Sequence, residues 1–218
     1  MTDSIEKLSD GLWVPSHDAQ IEQWREKGYP HMQEKCLNRF LEWCKTENKK
    51  FTRVVDIGAW CGTWSLAMQE FAENINCYEP SKVHFSCLVK NLSKHDHINL
   101  YNHAIGDSNG FIQLTEESAT QNTRVKDEKG DTAIYKLDEL NLKDVDMIKI
   151  DVEGYEMKVL KGATKTLENV KFIMVELNHN TEKYGSSSLA VKKYIKDELG
   201  FDILMNVWPD IIYYKNDV

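Results

Sequence analysis

The sequence lacks the features that mark membrane-spanning, fibrous and covalently stapled proteins. No stretch approaches the roughly 20 apolar residues that a membrane-crossing helix needs. Its 4 prolines and 11 glycines are too few for a fibrous or low-complexity chain, and 41% hydrophobic residues argue against wholesale disorder. The cysteines, Cys36, Cys44, Cys61, Cys77 and Cys87, form an odd set with no CxxC pair. Neither a zinc site nor a disulfide framework follows from that spacing, and reduced thiols are expected. Positive charge is also in short supply: 27 Lys and Arg stand against 35 Asp and Glu, a net charge of −8. With no basic stripe interleaved with aromatics, the chain is a poor partner for nucleic acid and a better host for cationic small molecules. The opening residues Met1-Thr2-Asp3-Ser4-Ile5-Glu6-Lys7 carry no basic n-region and no apolar h-region. They do not read as a secretory signal, so a cytoplasmic protein without a membrane partner is expected.

What is present fits one domain of 218 residues, large enough to bury roughly 70% of its unfolded surface. Residues 1–30 hold Trp13, Trp24, Tyr29 and two prolines without sustained periodicity, and read as an arm or lid. Residues 31–47 carry apolar positions at helical spacing (Met32, Cys36, Leu37, Phe40, Leu41, Cys44) and read as a leading helix. From residue 51 to 218, short apolar runs alternate with helical patterns. Strands are expected at Phe51–Ile57, Ile75–Tyr78, Ile98–Tyr101, Phe111–Leu114, Met147–Ile150 and Phe172–Leu177. Helices are expected at Thr63–Phe71, Lys82–Lys94, Tyr155–Leu160 and Leu189–Leu199, with a polar loop over 116–131. Two closing strands, Phe201–Leu204 and Ile211–Tyr214, flank a turn at Trp208-Pro209-Asp210. Such alternation implies an α/β layer with a largely parallel sheet and right-handed crossovers.

Four segments can carry chemistry. The first, Val54-Val55-Asp56-Ile57-Gly58-Ala59-Trp60-Cys61-Gly62-Thr63, runs from strand through glycine turn to helix, where a backbone can approach a ligand closely. Close strand–helix packing would use the same glycines. The second, Tyr78-Glu79-Pro80, ends the next strand with an acid able to accept both hydroxyls of a ribose. The third, Ile148-Lys149-Ile150-Asp151-Val152-Glu153-Gly154-Tyr155-Glu156, places Asp151 and Glu153 where carboxylates can move protons or orient a ligand. Helix capping is the plainer role for Glu153 and Glu156. The fourth ends a further strand with Glu176, followed by Asn178 and His179.

Taken in order, DIGAxxG, YEP, Leu88-x-x-Asn91-Leu92, His103-Ala104-Ile105-Gly106-Asp107, Leu137-Asp138-Glu139-Leu140, IKIDVEGYE and Val159-Leu160-Lys161-Gly162-Ala163 resemble the FkbM-type methyltransferase family. The likeness spans roughly residues 51–180, and KIDVEG is its most specific piece. It implies a Rossmann-like class I methyltransferase fold. That fold has a seven-stranded, mostly parallel sheet with a C-terminal antiparallel strand and helices on both faces. It also implies S-adenosylmethionine as cofactor, S-adenosylhomocysteine as product, and O-methylation of a hydroxyl on a sugar or other small molecule. By that similarity Asp56, Gly58, Ala59 and Gly62, with Trp60 and Thr63 in the same loop, surround the methionine end of the cofactor. Glu79 and Pro80 take the ribose side, His103, Ala104 and Ile105 border the adenine, and Asp151 touches the cofactor as well. Asp151, Glu153, Glu176 and His179 are the catalytic candidates.

An alcohol is a poor nucleophile, so a base or a metal must help remove its proton. Carboxylates at the strand ends can do so alone, and catalysis without a metal is the expectation, with a divalent ion as the other possibility. Three other functions compete. A non-catalytic module could keep the cofactor pocket, or the methyl acceptor could be nucleic acid or protein. The Asp-Pro-Pro-Tyr and Asn-Pro-Pro-Tyr segments of amino-methylating DNA enzymes are absent. A nicotinamide-linked oxidoreductase would need a GxGxxG turn, which is also missing.

Overall fold

The computed structural model describes residues 4–29, 35–115, 123–126 and 129–215. The chain starts with a hairpin of β1 (Ile5–Lys7) and β2 (Trp13–Pro15), then α1 (Ile21–Lys27) and α2 (Lys35–Thr46). Next come β3 (Phe51–Ile57), α3 (Thr63–Met68), β4 (Ala72–Tyr78), α4 (Lys82–Leu92) and β5 (Ile98–Tyr101). Four short strands follow: β6 (Ala104–Ile105), β7 (Gly110–Leu114), β8 (Val125–Lys126) and β9 (Thr132–Tyr135). The rest is β10 (Val145–Ile150), α5 (Glu156–Lys161), α6 (Thr164–Leu167), β11 (Phe172–Glu176), α7 (Ser188–Lys193), β12 (Asp202–Val207) and β13 (Asp210–Tyr214).

Seven strands form the main sheet in the order β12-β13-β11-β10-β3-β4-β5. From β11 to β5 neighbours are parallel, while β13 runs antiparallel to both β11 and β12. The central strands are apolar on both faces because helices cover both. One face packs Val55, Ile148 and Ile173 under α5, α6 and α7; the other packs Val54, Met147 and Phe172 under α2, α3 and α4. The apolar stripe of α2 (Cys36, Leu37, Phe40, Cys44) sits on this second face, where Phe40 meets Phe51 and Phe172. A four-stranded sheet, β6-β9-β7-β8, stands beside the main one.

The expected α/β architecture is the one observed, and β3 and β5 have the boundaries their apolar runs predict. Three expectations change. The helix expected to reach Phe71 stops at Met68, because Phe71 turns back: its carbonyl accepts from Phe51 N–H and its ring is buried in the second core. The expected loop over 116–131 contains β8, which pairs with Gln113 and Leu114 of β7; residues 116–122 and 127–128 lie outside the described set. Helix α7 gives way after Lys193 to a wider turn over Tyr194–Glu198. Of the leading helix, residues 31–34 also lie outside the described residues. Among the described residues no helix is long and apolar enough to cross a membrane.

The arm has more order than its lack of periodicity implies. Its hairpin lies on α4, where Asn91 bridges two segments: its side-chain oxygen accepts from Trp13 N–H, and its amide donates to the carbonyls of Trp13 and Cys61. Leu8, Leu12, Val14, Ile21 and Trp24 close a third apolar cluster with Cys61 and Cys87.

Candidate functional site

A cleft of about 370 Å³ opens at the carboxyl ends of the parallel strands, within the size range of sites that hold cofactors. Its first wall is the glycine turn after β3. Gly58 has φ +77°, and a Cβ there would lie 1.7 Å from the Asp151 carbonyl oxygen, so only glycine lets the β3 and β10 turns pass each other. The amides of Gly58 and Ala59 both donate to the Tyr78 carbonyl at 3.0 and 3.1 Å, which ties the turn to the end of β4. Trp60 follows with φ 48°, a left-handed conformation rare for a bulky residue and typical of functional sites.

Glu79 stands next to this turn, 5% exposed. Its carboxylate accepts from Trp60 N–H at 2.9 Å and Ser81 N–H at 2.8 Å, and His84 Nδ1 lies 3.4 Å away. Ser81 caps α4. Pro80, Thr63, Ala104 and Ile105 continue this half of the wall.

The opposite half is acidic. Asp151, Glu153, Glu176 and Asp210 all line it, and carboxylate oxygens of the first three lie within 4.8 Å of one another. Register explains the gathering: Glu176 pairs with Asp210 across β11 and β13, and Asp151 leaves β10 one residue past Ile150. Glu153 has φ 55° and precedes Gly154 at φ +111°. One of its oxygens accepts from the amides of Asn178 and Asn180 at 2.9 and 2.8 Å. Like charges crowd this corner. Asp151, burial and Asp210 together push the Glu176 carboxyl up to about 9, so it holds a proton at neutral pH. Burial and Asp151 also raise Glu153, against the two amides that favour its ionised form.

Beneath the acids lies Lys149, 7% exposed and one residue before the end of β10. Its ammonium donates to the Gly58 carbonyl at 2.7 Å and lies 3.1 Å from Asp56 and 3.4 Å from Asp151. Burial works against its charge, but Asp56 and Asp151 outweigh that and raise its pKa, so it stays protonated.

Most of the residues expected at the site therefore line the cleft: Gly58, Ala59, Trp60, Thr63, Glu79, Pro80, Ala104, Ile105, Asp151, Glu153 and Glu176. Four expected residues do not. Asp56 is wholly buried below the turn, accepting from Ser65 Oγ at 2.6 Å and facing Lys149, its register partner on β10. Gly62 starts α3 and makes room for Leu88 and Leu92, which a Cβ would strike at under 3 Å. His103 packs behind the wall against Tyr78 and Tyr135. His179 is exposed at the start of the 3-10 helix His179–Tyr184. Sequence reasoning assigned no role to Lys149, whose signal is a lysine inside an otherwise apolar strand. It also left out His84 and Asp210. Of the arm aromatics, Trp13 and Trp24 pack on the body, and Tyr29 alone reaches the cleft, 5.4 Å from the Trp60 ring.

Comparison with known proteins agrees with this geometry. The chain is 26% identical over 152 residues to hexuronic acid methyltransferase AglP of Haloferax volcanii, a match covering 66% of this chain and 63% of that protein. The fold resembles the crystal structure of methyltransferase FkbM from Methylobacillus flagellatus KT, with TM-score 0.53 and 15% identity over 75% of this chain and 43% of that one. It also resembles a putative caffeoyl-CoA O-methyltransferase from Staphylococcus aureus, with TM-score 0.54 and 12% identity over 91% and 93% of the two chains. These likenesses place the fold among class I Rossmann-like methyltransferases, whose family cofactor is S-adenosylmethionine. Residues 44–203 match the methyltransferase FkbM domain, and the chain belongs to that family.

Proposed function

We propose that this protein transfers a methyl group from S-adenosylmethionine to a hydroxyl of a sugar or related small molecule. The observation that carries the proposal is the division of one cleft into two halves: a buried glutamate beside a glycine turn, and three converging carboxylates opposite it. The curated relative that methylates a hexuronic acid supports a sugar acceptor. As a single domain of residues 1–218, the chain brings the arm, the leading helix and the core to one site.

When bound, the cofactor supplies a sulfonium methyl group open to in-line attack. The chain's own residues do the rest. Glu79 takes the ribose, and Gly58, Ala59 and Thr63 shape the wall beside it. Asp151 and Glu176 face the acceptor hydroxyl. Glu176 already holds a proton at neutral pH, so the acceptor's hydroxyl proton passes to the Asp151 carboxylate as its oxygen takes the methyl group and S-adenosylhomocysteine leaves. Lys149 pairs with Asp151 at 3.4 Å and fixes its position, and Glu153, held by Asn178 and Asn180, orients the acceptor. Holding the partners at near-attack distance supplies most of the acceleration.

The test is incubation with methyl-labelled S-adenosylmethionine and a panel of neutral, amino and uronic sugars. Label on a sugar oxygen with equimolar S-adenosylhomocysteine is expected; label on nitrogen, or none in any sugar, overturns the proposal. A second reading has a specific observation behind it. Asp151, Glu153 and Glu176 offer three hard oxygen ligands within 4.8 Å of one another, a set that suits magnesium and not zinc. The carboxylates alone suffice on the reading preferred here, so turnover should persist in a chelator. Loss of turnover that added magnesium restores would establish the second reading instead.

A further inference from the structure

Two polar atoms on the cofactor half of the cleft have no hydrogen-bond partner among the described residues: Nε1 of Trp60 and Nε2 of His84. Both residues line the cleft, and their rings lie 6.3 Å apart at 66°. His84 is 3% exposed, so solvent does not satisfy it. A buried polar atom left unpaired is costly, and such atoms are rare without a reason.

The two atoms are complementary. An indole nitrogen only donates. His84 Nδ1 lies 3.4 Å from the Glu79 carboxylate, and the tautomer that carries its proton on Nδ1 toward that acceptor leaves Nε2 as an acceptor. One hydroxyl oxygen serves both at once, accepting from the indole and donating to the imidazole. Glu79 lies in the same corner, and each of its oxygens receives one backbone amide, which leaves acceptor capacity on both.

We propose that Trp60 and His84 form, with Glu79, a corner that recognises a vicinal diol: the ribose of the adenosyl group. One ribose hydroxyl bridges Trp60 Nε1 and His84 Nε2, and the other donates to Glu79. The assignment rests on the reading of this cleft as the S-adenosylmethionine site. It gives a function to two unpaired buried nitrogens, one of them on a residue whose backbone is left-handed.

Calorimetry with S-adenosylhomocysteine and its 2′-deoxy and 3′-deoxy analogues tests the proposal without any acceptor. Trp60→Phe and His84→Phe should each weaken S-adenosylhomocysteine about 5-fold, the scale of one hydrogen bond. Against the analogue lacking the bridged hydroxyl, both variants should bind as the unmodified protein does. His84→Gln, which keeps an acceptor near the position of Nε2, should recover most of the loss. If His84→Phe does not fold, Trp60→Phe decides, because it deletes one N–H and keeps a ring. Equal losses for all three ligands, or changes within 2-fold, overturn the proposal and leave an ordered water between the rings. If the unmodified protein binds none of the three, the cofactor reading itself fails.

Discussion

Glu79 and Glu176 hold equivalent places in the fold, each at or just past the carboxyl end of a parallel strand and on the wall of one cleft. Their surroundings are opposite. Glu79 sits among donors: two backbone amides and a histidine ring. Glu176 sits among acids, with Asp151, Asp210 and Glu153 all raising its pKa. The first setting fixes a carboxylate as a hydrogen-bond acceptor for a neutral ligand group. The second keeps a carboxyl protonated at neutral pH. Sheet position alone does not assign a role; the charge of the neighbours does.

The sharpest way to break this comparison is to neutralise each half and watch which quantity moves. Asp151→Asn should lower kcat by roughly 10²-fold or more, the scale of a lost proton acceptor, and Glu176→Gln, which replaces a carboxyl that already holds its proton, should lower it less. Affinity for S-adenosylhomocysteine should stay within about 2-fold, because the cofactor half keeps its hydrogen bonds. Initial rates with an identified sugar acceptor, set beside calorimetry, separate the two effects. A variant that loses cofactor affinity and keeps kcat at saturation would place Glu176 on the wrong side of the division.

The reciprocal change is smaller. Glu79→Ala removes charge-assisted bonds worth about 1–3 kcal/mol, so cofactor affinity should fall roughly 5- to 150-fold. At saturating cofactor kcat should recover most of its value, since the acidic half is untouched. Unchanged affinity by calorimetry would remove Glu79 from the site. The variant also frees the amides of Trp60 and Ser81, so its melting temperature must be followed alongside.

Much of this division was legible in the sequence, and the misses have physical causes. Glu79, Asp151 and Glu176 end apolar runs, and a strand end in an open parallel sheet is where ligands bind. Asp56 ends no run. Its carboxylate is drawn inward by Lys149, and that pairing depends on register between strands more than 90 residues apart in sequence, which no local pattern records. Gly62 carries the motif's spacing but serves helix packing, the plainer use of the same residue. His103 follows a family position and His179 stands one residue past one, yet the first packs behind the wall and the second faces solvent. Strands β6, β8 and β9, of two to four residues, are too short for alternation to stand out. The arm hides for the same reason, since its two strands have three residues each.

The remaining expected effect is on stability, and it isolates the acidic half without any ligand. A glutamate in the unfolded chain releases its proton near pH 4.5, whereas folded Glu176 holds it up to about 9. The folded state therefore binds this proton more tightly, and the resulting stabilisation is complete below pH 4.5 and disappears as pH rises toward 9. The melting temperature of the unmodified protein should fall between pH 5 and pH 9, whereas Glu176→Gln carries no titrating group there and should fall less. The gap between the two curves should widen with pH in favour of the variant, by roughly 2–4 °C for each kcal/mol recovered in a chain of this size. Some slope should persist in the variant, because burial also raises Glu156 to about 7 and lifts Glu153. Parallel melting curves for the two proteins across this range would mean that Asp151 and Asp210 do not crowd Glu176, and the contrast with Glu79 would lose its electrostatic basis.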